Sequence, residues 1–381
     1  MYQVTYTDII AGKRMKEMND FNLEAYLSNG VENIVNNALR ATLTNPKESI
    51  FLARFALASK KARRQRQEAE ELGEHIPPFL IASVTSKCNL YCKGCYARAN
   101  HSCHDKEAVN QLNDVEWVNI FEQAREIGVS FILLAGGEPL LRPELMRAAG
   151  NLPEIVFPLF TNGTMINEDY IKLFDKHRNL VPIISIEGNE ETTDVRRGNG
   201  VYRQVLDGME RMKSNKLLYG ASITVMKQNM SEVTSEEFLD VLAEGGCKVV
   251  IYVEYVPISK ETKEQAPSDE DREFLEQQLI TLRQVREDML FISFPGDEKT
   301  SGGCLAAGRG FFHINPQGGA EPCPFSPYSD TNLKRVSLRE ALNSPLFRKL
   351  RDGKVLLAEH TGGCVLFEQE DTVQALLNTN T

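Results

Sequence analysis

The chain reads as an α/β protein built on a parallel sheet curved into a partial (β/α)6 barrel of the TIM type. Helical residues precede the barrel, and a small Cys-containing module follows it. Three observations support this. Strand-like apolar runs alternate with helical stretches from Phe79 onward, the early part shows helical periodicity only, and Gly, Pro and Cys accumulate after Phe294. The expected divisions are 1–77, 78–295 and 296–381.

Residues 1–77 read as helical. Val31, Ile34, Val35, Ala38 and Leu39 lie on one helical face. Asn45-Pro46 is a start signal for a second helix that carries Phe51, Leu52 and Phe55. It runs through the basic stretch Lys60 to Arg66 into the acidic stretch Glu68 to Glu74, and Gly73 and Pro77-Pro78 stop it. Such charge runs usually form a solvated face. The sharper reading is peripheral membrane contact through residues 46–75, with aromatic anchors beside a cationic face suited to anionic lipid or an acidic partner.

The next segments alternate. Apolar runs at 79–85, 130–135, 155–161, 181–186, 221–226 and 249–256 have strand character, and helical stretches fill 114–127, 143–150, 167–177, 201–213, 235–244 and 269–288. Six successive units imply parallel strands with helices outside. They fall short of the eight that close a barrel, which leaves an open side for a large substrate. The change of composition after Phe294-Pro-Gly-Asp297 marks the boundary near 296, and a helix at 368–377 ends the chain.

Composition narrows the class. Over 381 residues, 43 basic against 53 acidic side chains leave a net charge of −10, which argues against a nucleic-acid coat. The N-terminus has neither a basic n-region nor an apolar h-region, and no apolar run approaches a membrane span, so a cytoplasmic location is expected. Eight cysteines in clustered spacing favour metal or redox duty over disulfides.

Cys88, Cys92 and Cys95 follow the first strand in the spacing CxxxCxxC. Three thiols on one short loop can wrap one metal centre. A cubane iron-sulfur cluster prefers a thiolate on each of its irons, so three cysteines leave one iron open for chemistry. By spacing alone a zinc knuckle competes. Gly136-Gly137-Glu138-Pro139 follows the second strand, and glycines there allow backbone to approach a ligand, although a tight turn would also use them.

Together, CxxxCxxC and GGEP resemble the radical SAM superfamily, motif by motif over residues 79–256. The resemblance implies a 4Fe-4S cluster on Cys88, Cys92 and Cys95 whose open iron is chelated by S-adenosylmethionine. Gly136, Gly137 and Glu138 would then meet the SAM amino group. Thr161 and Asn162, in Thr161-Asn-Gly-Thr164, resemble a segment lining the same pocket, although Asn-Gly is also a common turn pair. Ser185 and Glu187 resemble ribose and methionine contacts, and Arg197 resembles the methionine carboxylate contact; the family's usual residue at 187 is Asp. The implied activity is reductive cleavage of SAM to a 5′-deoxyadenosyl radical that takes hydrogen from substrate, fed by a donor such as a flavodoxin or ferredoxin. The protein contributes position and dryness.

Cys304, Cys323 and Cys364, with the glycines between the first two, resemble an abbreviated SPASM module of the twitch form. That implies a second, auxiliary 4Fe-4S cluster with an open site, which relays electrons, plays a structural part or ligates substrate. Cys247 is a candidate fourth ligand or a small core residue. His101-Ser-Cys103-His104 reads as a polar loop over the site, and His313 is left without a role. Pro324 stands where sulfatase-maturing members place an aspartate, and no winged helix of the leader-binding kind precedes the barrel. A small-molecule, cofactor-precursor or lipid-like substrate is therefore expected, with maturation of a ribosomal peptide as the alternative. The reading from another class is a non-catalytic iron-sulfur electron carrier or a zinc-stabilised binding module, under which GGEP, Ser185 and Arg197 would have no reason to coincide.

Overall fold

A computed structural model describes Leu23, Leu27 and residues 45–104, 110–257, 260–297, 303–353, 355–357 and 364–378. The expected helical face at 31–39 lies outside the described residues.

Seven parallel strands form the barrel wall: β1 (Phe79–Ser83), β2 (Phe131–Ala135), β3 (Phe157–Thr161), β4 (Leu180–Ser185), β5 (Gly220–Val225), β6 (Val249–Glu254) and β7 (Leu290–Phe294). The sheet order is β7-β6-β5-β4-β3-β2-β1, continued by two short strands, β8 (His313–Ile314) and β9 (Ala320–Glu321). The count exceeds the expected six because Leu290-Phe-Ile-Ser-Phe294 pairs with β6 over five positions, from Val249 with Leu290 to Val253 with Phe294. The boundary near 296 falls between β7, which ends at Phe294, and β8 of the same sheet. β8 pairs parallel to β1, Ile81 with His313 and Ala82 with Ile314, so the Cys-containing segment extends the barrel wall.

Local chemistry sets the helices. The helix Pro46–Glu71 starts where expected: the Asn45 side chain accepts from the amides of Lys47 and Glu48, and Pro46 opens the first turn. The helix Asp114–Ile127 has a reciprocal capping box between Asn113 and Glu116 and ends on Gly128 in the left-handed conformation. Between β4 and β5 the helix expected at 201–213 is present as Val201–Ser214, and a further helix, Glu190–Arg197, precedes it without having been expected from the sequence.

Inward and outward residues differ in kind. On β3, β6 and β7 burial alternates, and the fully buried set packs beneath the helices as Leu159, Val250, Tyr252 and Phe291. The alternate set, including Pro158, Ile251 and Ile292, faces a central cavity of about 840 Å³. Barrels of this type normally fill that space with layers of side chains; this one is hollow.

The helix Pro46–Glu71 packs over the end of the barrel at which the strands begin. Phe51 and Phe55 meet Phe131, Val156, Val181 and Ile183, and the Phe55 and Phe131 rings lie edge to face at 5.4 Å. Two buried ionic contacts fix it. Arg178 and Glu48 form an ion pair with side chains 8% and 2% exposed, and the buried Arg66 donates to the carbonyl of Gly128 at 2.7 Å. Arg66 thus departs from the solvated face expected for the basic run. No described helix is long and apolar enough to cross a membrane.

Candidate active site

The cysteine loop and the glycine pair are one packed unit. β1 and β2 end side by side, and their loops continue the pairing: Val84 donates to Ala135 O (2.9 Å), Gly137 to Thr85 O (2.7 Å) and Glu138 to Lys87 O (2.8 Å). A Cβ on Gly137 would stand 1.9 Å from Lys87 O and 2.9 Å from Cys88 N, and one on Gly136, at φ +130°, would stand 2.4 Å from Thr85 O. Only glycine permits that approach. The far side of the loop is tied to the helix Glu190–Arg197, with Lys93 N donating to Arg196 O and Arg196 Nη1 to Lys93 O, both at 2.8 Å.

Cys88, Cys92 and Cys95 all line the central cavity. Burial pushes the Cys88 thiol up to about 11, with a partial offset from the Leu90 amide, and burial raises Cys92 against the opposing field of Arg197. Such thiols give up protons when a metal binds. Zinc draws its sulfur ligands to about 2.3 Å from one point. Among the described residues, no three His, Cys, Asp or Glu side chains converge in that way on a single ion. A cubane asks for no such convergence, because each thiolate takes its own iron. Three soft donors on one loop, beside a glycine cradle and a cavity, fit the cluster and its organic ligand.

The other expected residues divide into two groups. Gly136, Gly137, Asn162, Ser185 and Arg197 line the cavity. Glu138, Thr161 and Glu187 stand behind that wall and hold it. Glu138, fully buried, accepts from Leu140 N (3.0 Å), Thr161 Oγ1 (2.7 Å) and Asn162 N (2.8 Å). Burial raises its pKa and those bonds oppose the rise. Asn162 also donates to Asn89 Oδ1 at 2.8 Å, which joins the third strand end to the cysteine loop. Glu187 is fully buried, pairs with Arg197 through both carboxylate oxygens and lies 3.4 Å from Arg196 Nε. One carboxylate between two guanidinium groups leaves the wall net positive.

Cys304, Cys323 and Cys364 form a second group outside the cavity lining. Cys323 donates to Cys364; burial pushes Cys323 well up, and the hydrogen bond from Cys323 holds Cys364 down. The segment after Cys323 reaches the first loop: the Phe325 and Tyr96 rings meet at 4.9 Å, and Pro324 and Phe325 line the cavity. Cys247 is elsewhere, in the core beside β6, donating to Val249 O at 3.2 Å with its thiol pushed up to about 12 by burial. It serves as a small core residue there.

Some residues on the wall escaped the sequence reading. His313 is buried, with Nδ1 2.7 Å from Glu321 and Nε2 2.8 Å from Ser83 Oγ, and so joins β8 to β1. Cys103, in the expected polar loop, is buried and lines the cavity. Arg196 and Tyr255 line it too, with the guanidinium 5.8 Å from the ring centre. Tyr255 follows the C-terminal end of β6, the position where barrels place site residues, and that rule was the available signal.

The comparisons with known proteins agree with this geometry. Residues 82–242 match the family described as the radical SAM superfamily. An AdoMet-dependent heme synthase of Methanosarcina barkeri (strain Fusaro / DSM 804) is 28% identical over 321 residues, covering 75% of this chain and 90% of the relative. The sporulation killing factor maturation protein SkfB of Bacillus subtilis (strain 168) is 25% identical over 219 residues, 56% of this chain and 51% of that protein. The crystal structure of Streptococcus suis SuiB bound to S-adenosylmethionine superposes with a TM-score of 0.66 at 18% identity, over 90% of this chain and 85% of that one, and so shares its fold. Residues 82–242, the segment that contains the cysteine loop and the glycine pair, are thus a radical SAM domain.

Proposed function

We propose that this radical SAM enzyme acts on an apolar small molecule, a cofactor precursor or lipid-like compound, held inside the barrel. The observation that carries the reading is the cavity of about 840 Å³ at the upper end of the range for small-molecule sites, roughly 300–1,000 Å³, with thiols and arginines at its mouth and apolar side chains below. The heme synthase relative supports a cofactor precursor, since the product in its name, heme, is a cofactor.

In this reading Cys88, Cys92 and Cys95 ligate a 4Fe-4S cluster, and Gly136, Gly137, Asn162, Ser185 and Arg197 border SAM. Bound there, cluster and SAM together supply reductive one-electron chemistry that removes a hydrogen atom from substrate. The chain's own residues provide the setting. Glu138 locks Thr161 and Asn162 in place, Glu187 orients Arg197, and Phe51, Leu52 and Phe55 put apolar side chains across the lower end of the cavity. Cys304, Cys323 and Cys364 would hold an auxiliary cluster, supported by their grouping, and a low-potential donor such as a flavodoxin or ferredoxin would feed the enzyme.

Modification of a ribosomal peptide is the second reading, supported by the resemblance to SkfB. The lower cavity wall offers few partners to backbone amides, and a buried amide without a partner costs roughly 1–3 kcal/mol. The test is anaerobic reconstitution followed by reductant and SAM. The proposal expects 5′-deoxyadenosine from the native chain and none from Cys88→Ala, Cys92→Ala or Cys95→Ala; formation by any of these variants would refute the cluster assignment.

A further inference from the structure

We propose that the barrel cavity binds an amphipathic carboxylate, its hydrocarbon chain running down between the strands to Phe51 and Phe55 and its head group held by Arg196 and Tyr255 at the rim. The inference rests on the small-molecule reading above and names the class of molecule.

The bore is mostly apolar, with Ser222, Thr224 and Ser293 among its lining residues. Phe131, Val156, Val181, Leu218, Val249 and Leu290, at or near the first residues of β2 to β7, line it as do residues near the strand ends. Phe51, Leu52 and Phe55 form its floor. A strand of five residues spans about 17 Å. The cavity of about 840 Å³ includes the mouth where cluster and SAM are proposed to sit, and the bore below it runs the length of the strands, a shape that suits extended methylene chains. Apolar lining of this extent favours an apolar occupant over water.

The rim supplies a complementary pair of donors. Tyr255 is 4% exposed and its hydroxyl has no hydrogen-bond partner, although it lines the cavity. Arg196 Nε is buried without a hydrogen bond, at ion-pair distance (3.4 Å) from Glu187 Oε1, a carboxylate it shares with Arg197, while its Nη1 donates to Lys93 O. A Cβ on Gly94 would meet Tyr255 Oη at 3.0 Å and Arg196 Nη1 at 3.2 Å, so the two groups abut one point of the cysteine loop. An unsatisfied buried donor costs free energy that an acceptor on the ligand recovers. Glu254 and Asp297 also line the cavity, but Arg272 and Arg283 pair with them at 2.8 Å each. The positive excess therefore falls at Arg196 and Arg197, where a carboxylate would gain a charge-assisted bond.

The test is displacement of cis-parinaric acid fluorescence from the reconstituted, unreduced full-length protein, using saturated fatty acids of increasing length, hexadecanol and coproporphyrin. Each added methylene is expected to tighten binding about fourfold until the bore is filled. Ile251→Trp, which fills the bore midway, should weaken palmitate roughly tenfold or more. Arg196→Gln and Tyr255→Phe should weaken palmitate about tenfold while leaving hexadecanol unchanged. Affinity independent of chain length, acid and alcohol weakened alike by the rim variants, or coproporphyrin displacing the probe as well as palmitate does would each overturn the proposal. SAM cleavage measured in parallel separates the two readings. A protein that forms 5′-deoxyadenosine but binds no chain overturns this inference alone, and one that binds chains without cleaving SAM supports it while removing the proposed reaction.

Discussion

Substituting Gly137 by alanine tests the claim that the glycine segment and the cysteine loop are one packed unit. The new Cβ would lie 1.9 Å from Lys87 O, 2.4 Å from Lys87 C and 2.9 Å from Cys88 N. Carbon needs about 3.5 Å from such neighbours, so one segment must move by more than an ångström. All three atoms are backbone, and no rotamer change can relieve them. Overpacking in a rigid setting costs typically 1–3 kcal/mol, and the upper end is expected here, because moving Lys87 and Cys88 also strains the Glu138 N–H bond to Lys87 O. Gly73→Ala is the matched control: its φ of +79° disfavours alanine, but a Cβ there meets nothing within 4 Å. It should lose only the left-handed backbone term, about 1 kcal/mol. Thermal unfolding of the unloaded protein and iron content after reconstitution separate the two. Gly137→Ala should unfold several degrees below Gly73→Ala and bind the first cluster incompletely. A Gly137→Ala protein with native midpoint and native iron content would refute the argument.

Arg178→Ala takes the guanidinium from the carboxylate of Glu48, which is 2% exposed and keeps the Leu218 amide at 3.2 Å, and should destabilise the protein by roughly 3 kcal/mol in denaturant unfolding. His313→Phe removes the bonds to Glu321 and Ser83 at the β1–β8 seam and should cost about 1–3 kcal/mol, read as a lowered unfolding midpoint with SAM binding retained. Cys323→Ser should halve reconstituted iron from about eight to about four per chain if the second cysteine group holds a cluster; iron that stays unchanged would remove the auxiliary cluster.

What could be read in the sequence was chemistry that needs neighbouring residues. Cys88, Cys92 and Cys95 sit within one turn of loop, as the metal centre proposed on all three requires, and Gly136 and Gly137 sit together because the backbone there touches Thr85 and Lys87. Local rules also placed the helix that starts at Asn45-Pro46, since capping is decided within four residues. The seventh strand was missed for a local reason: Leu290–Phe294 is only five residues long, runs directly out of a helical stretch and ends at a proline that read as a boundary. β8 and β9, at two residues each, are too short to show a period of two, and only the pairing of His313 and Ile314 with β1 gives them their meaning. The substrate side was hidden more deeply. Its wall takes one or two residues from every strand, and Phe51 and Phe55 give no sign in their own helix that they close a barrel more than twenty residues further along the chain. Whether a bore stays open depends on the summed side-chain volume of all these segments, which no window of sequence contains. The proposed cluster and SAM site is thus written in contiguous motifs, because such groups impose fixed geometry on a short loop, whereas the cavity wall is distributed over single positions such as Ile251 and Tyr255.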